Sequence, residues 1–67
     1  MMVVDFETER VSRIIEDAFR GYLSDPADSD FQRGHLAALI TLYTEGMGKG
    51  AGDDRITLLR EQVAQPA

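Results

Sequence analysis

Residues 28–45 read Asp28-Ser29-Asp30-Phe31-Gln32-Arg33-Gly34-His35-Leu36-Ala37-Ala38-Leu39-Ile40-Thr41-Leu42-Tyr43-Thr44-Glu45. The apolar residues Phe31, Leu36, Ala38, Leu39, Ile40, Leu42 and Tyr43 recur at the helical period. On a helical wheel they cover an arc of about 200°, and only a strip holding Arg33, Thr41, Thr44 and Glu45 is polar. Ser29, three residues before Gln32, makes a capping box, so a helix is predicted over about 30–45. One neighbouring helix is too narrow to cover such an arc. The segment is therefore expected to lie between two packing partners.

Upstream, Val11, Ile14, Ile15, Ala18, Phe19 and Tyr22 repeat at three- and four-residue spacings, with Glu9, Arg10, Arg13, Glu16, Asp17 and Arg20 opposite. A first helix is predicted over about 5–23, ended by Gly21 and by Pro26, which biases Asp25 away from helical angles. Glu9/Arg13 and Glu16/Arg20 are spaced as i,i+4 ion pairs. The connection of about five residues makes the two helices an antiparallel hairpin.

Downstream, alternate glycines in Gly46-Met47-Gly48-Lys49-Gly50-Ala51-Gly52 predict a flexible loop over 46–52. Asp53 or Asp54 then caps a third, shorter helix over about 54–63, whose stripe is Ile56, Leu59 and Val63. So short a helix must dock or fray. The chain is thus expected to be one all-α domain, a helical hairpin plus a short third helix.

A chain of 67 residues buries only about 60% of the surface its unfolded form exposes, which makes a monomeric core marginal. With no cysteine, neither a disulfide nor a thiolate metal site can supplement it. Oligomerisation is the expected supplement, in the form of a dimeric helical bundle. The predicted interface is Leu36, Leu39, Ile40, Tyr43 and Met47, the part of the second helix that the first cannot cover. On this reading Ile40→Glu should disrupt folding and assembly together, while Glu16, on the wet face, should be replaceable by Ala.

Twelve acids against seven bases give a net charge of −5. Residues 1–30 hold eight acids and three arginines, whereas 31–67 hold four of each. Neither half offers the clustered basic footprint that nucleic acid requires, and the acidity disfavours anionic membranes. The longest apolar run, Leu36 to Ile40, is far short of a membrane span. Asp5 interrupts the first apolar stretch before a signal-peptide core could form, so a cytoplasmic location is expected.

No motif points to chemistry. A P-loop would need a glycine at the position of Tyr43 and Ser or Thr at that of Gly50, and the looser dinucleotide pattern follows a helix where it needs a strand. Asp28-Ser29-Asp30 begins like a calcium loop but continues with Arg33 at the glycine position and Leu39 at the glutamate position. Asp25, Asp28 and Asp30 read better as turn and capping residues. His35 stands alone, without a second metal ligand, and reads as a packed or rim histidine. Ser12, Ser24 and Ser29 have that single histidine to share and no nucleophile elbow. No cofactor, metal or catalytic residue is expected, and Lys49 and its loop are expected to be replaceable.

The run from Asp28 to Leu39, followed by Leu42-Tyr43, resembles small uncharacterised helical proteins of phage and prophage type. The resemblance implies an intracellular accessory or assembly role and carries over no functional residue. The expected function is that of a non-catalytic helical interaction protein that self-associates through its second helix, with another protein as a further possible partner. The alternative is an acidic protein that binds a basic surface of a partner or mimics nucleic acid.

Overall fold

The computed structural model describes residues 6–65. It contains α1 (Phe6–Ser24), α2 (Asp30–Thr41) and α3 (Asp54–Ala64), with no strand among the described residues. The second helix does not stop at Thr41. It continues as a π-helical turn, Leu42–Gly46, in which Met47 N–H reaches back five residues to Leu42 O at 3.0 Å. Thr44 Oγ1 donates to Ile40 O at 2.8 Å, a side-chain bond that competes with the backbone ladder where the turn widens.

Helix starts follow their caps. Ser29 accepts from Gln32 N–H at 3.1 Å, and Gln32 Oε1 accepts in return from Asp28 N–H, one residue before the cap. Asp53 caps α3 by accepting from Arg55 N–H at 2.9 Å. The acids of the α1–α2 connection thus lie around a helix start, with Asp30 also pairing with Arg33.

The helices run up, down and up. Tyr43 OH bonds Glu16 and Tyr22 OH meets His35 Nδ1, a register in which α1 and α2 are antiparallel. Gly50 packs on Ile56 near the start of α3. At its far end Gln62 Nε2 donates to Tyr22 O and Gln62 Oε1 accepts from Ala27 N–H, both at 3.0 Å. Gln62 thereby ties α3 to the end of α1 and to the connection that follows it.

Among the described residues the core consists of Ile15, Phe19, Leu36, Ile40, Tyr43, Ile56 and Leu59, drawn from all three helices. Phe19 and Tyr43 meet edge to face, with centroids 5.2 Å apart. Here the third helix supplies what the sequence reading assigned to a second copy. It packs against both α1 and α2, so the wide arc of α2 is covered from within one chain.

Three local expectations need correction. The loop after Gly46 is folded onto the bundle: Lys49 Nζ donates to buried Ser12 Oγ at 2.9 Å, and Lys49 N–H to Tyr43 O at 3.0 Å. Glu16 is half-buried and accepts from Tyr43, so it is not an idle surface acid, and Arg20 pairs with Asp17. Phe31 lies outside the core at 83% exposure, because α2 turns its opposite side to α1 and α3.

Candidate interaction surface

The end of the bundle that carries the glycine loop holds the polar side chains least expected from a linker. Ser12 is 2% exposed, and its hydroxyl is satisfied by the Lys49 ammonium. Tyr43 donates to Glu16 Oε2 at 2.8 Å, while Asp53 and Arg55 pair at 2.7 Å. Burial first, and then the hydrogen bond to Glu16, push the Tyr43 phenol above its usual range. The Arg55 guanidinium and N–H hold the Asp53 carboxyl below its own.

Chemically this cluster is self-contained. Ser12 and Lys49 have the atoms of a serine–lysine pair, but a nucleophile buried this deeply cannot meet a substrate. Beside it is an open depression of about 380 Å³, lined by Lys49, Arg60 and the backbone of Gly48 to Gly52. The two cations suggest an anion. The carboxylate of Asp53 also lines it, however, and already accepts from the N–H at the start of α3. His35 is exposed on the rim and joins Tyr22.

The five residues expected at an oligomer interface lie elsewhere than on an open face. Leu36, Ile40 and Tyr43 are buried in the core of their own chain, and Leu39 and Met47 pack against it half-buried. A side chain with no accessible area has none to lose to a partner. Among the described residues the exposed large apolar side chains are Val11, Ile14, Phe31, Leu42 and Leu58.

Three of these share one seam. Tyr22 and His35 meet across the α1–α2 groove. Val11 precedes Tyr22 by eleven residues, about three turns, and Leu42 follows His35 by seven, about two, so each lies on the edge that faces the same groove. Ile14 sits one turn after Val11, 60% exposed, and α3 packs against both α1 and α2. Periodicity alone could not separate this outer strip from the core, because Ile14 and Ile15 both fit the apolar face of α1.

Among the described residues no helix is long and apolar enough to cross a membrane. Comparison with protein-family models, with curated proteins and with solved structures finds no match.

Proposed function

We propose that this chain is a non-catalytic helical interaction protein of the cytoplasm that self-associates, most simply as a two-fold dimer, through the groove between α1 and α2. The observation that carries this reading is the exposure of Val11, Ile14 and Leu42, which the helical period places along the α1–α2 groove. A core of seven buried apolar residues among those described leaves so small a chain with much to gain by covering them. The second helix still contributes, through Leu42, but its central residues serve the fold. The assembly role implied by the phage-type resemblance fits the same reading.

Sedimentation equilibrium over a range of micromolar concentrations tests it. The expected result is a concentration-dependent dimer of the 7.4 kDa chain that Leu42→Glu converts to a folded monomer. A 7.4 kDa species at every concentration would refute self-association.

A second reading, the docking of a basic partner, is favoured by exposed Asp25, Asp28 and Asp30 at one end of the bundle. Partner binding that weakens steeply with salt and is lost in Asp25→Asn/Asp28→Asn would favour it over the dimer.

A further inference from the structure

We propose that the second copy docks with its α1 antiparallel to the α1 of the first, the two-fold axis passing between Arg13 and Ile14, so that Arg10 of each copy pairs with Asp17 of the other. This inference rests on the self-association reading above and gives it a geometry. Arg10, Ile14 and Asp17 line one shallow depression on the outer side of α1 together with Glu9 and Arg13, which lie about 140° and about 100° from Ile14 on the helical wheel and so turn away from the axis. Seven residues separate Arg10 from Asp17, which places them about 10.5 Å apart along the helix and within about 20° of the same direction.

They are too far apart to pair within one helix, and the intrachain partner of Asp17 is Arg20. In an antiparallel two-fold arrangement like flanks face each other, so a flank that is positive before the midpoint and negative after it becomes complementary to itself. A parallel two-fold arrangement would bring unlike flanks together, so that Arg10 and Asp17 would not meet each other across the interface. Halfway between the two charges is Ile14, which would meet its own copy at the axis, flanked by Val11. The occupant is a second copy because this charge order matches itself.

Charge reversal tests the geometry at low salt. Dissociation constants are measured by sedimentation equilibrium for the parent chain, Arg10→Asp, Asp17→Arg and the double variant, with circular dichroism to verify that each is folded. Each single reversal replaces two attractions per dimer with two repulsions and should raise the dissociation constant about tenfold. The double reversal should restore it to within about threefold. Arg20→Ala, which removes only the intrachain partner of Asp17, should leave it nearly unchanged. A parent dimer that is insensitive to both single reversals, or a double variant as weak as either single, would overturn the antiparallel pairing and leave self-association standing. A parent chain that stays monomeric up to high micromolar concentration would overturn both.

Discussion

Tyr43 joins α1, the end of α2 and the glycine loop. Its ring meets Phe19 of α1, its hydroxyl donates to Glu16, and the backbone at Gly50 runs so close that a Cβ there would lie 3.2 Å from the ring and 3.0 Å from Ile56. Removing the hydroxyl in Tyr43→Phe should cost about 1 kcal/mol. Thermal unfolding should register this as a fall in Tm of about 4–8 °C. The phenol also carries a pH dependence. Its folded pKa is raised above the ordinary 10.0, so its contribution is complete below that value and is lost as pH rises through the folded one. Denaturant titrations between neutral and strongly alkaline pH should therefore show a steeper loss for the parent chain than for Tyr43→Phe. Gly50 adopts φ +82°, where a side chain is strained even before it meets those neighbours. Gly50→Ala should destabilise by roughly 1–3 kcal/mol in the same titration, and a neutral effect would mean that the loop is the loose linker its composition suggests.

At the scale of elements, the helices were legible and their environments were not. Apolar spacing located α1, α2 and α3, and Ser29, together with Asp53 as one of two candidates, was readable as a cap because capping depends on local chain geometry. Which side of each helix would be buried depends on where the other two lie, and no local pattern carries that. Ile14 and Phe31 fit the apolar period yet face outward, while Glu16 fits the wet face yet bonds Tyr43. The wide arc of α2 correctly called for two partners. The uncovered part of that arc was assigned to a second copy because the pattern of α3 left open whether it docks or frays, whereas Ile56 and Leu59 are buried and Gln62 anchors the far end. The glycine loop misled because composition reports the freedom of an unfolded segment and says nothing of a lysine amine reaching Ser12. Gly21 is different: it lies in exposed α1 with open space where a Cβ would go. Gly21→Ala should raise stability by about 0.5–1 kcal/mol, visible as a higher urea midpoint at unchanged slope.

For the whole molecule, one chain buries a core drawn from all three helices, and the proposed association uses the α1–α2 groove in place of those core residues. Folding and assembly, which the sequence reading joined at Ile40, should then be separable. The pair Ile40→Glu and Ile14→Glu asks this most directly, with helicity and mass measured on each. Ile40 is buried among core side chains, where an unpaired carboxylate costs several kcal/mol against a total stability of about 5 kcal/mol. Ile14 is open to solvent on the groove. The account predicts that Ile40→Glu is unfolded by circular dichroism, and that Ile14→Glu keeps the parent helicity while sedimenting as a 7.4 kDa monomer under conditions where the parent chain is a dimer. An Ile40→Glu chain that remains helical, or an Ile14→Glu chain that loses its helices along with its dimer, would contradict it.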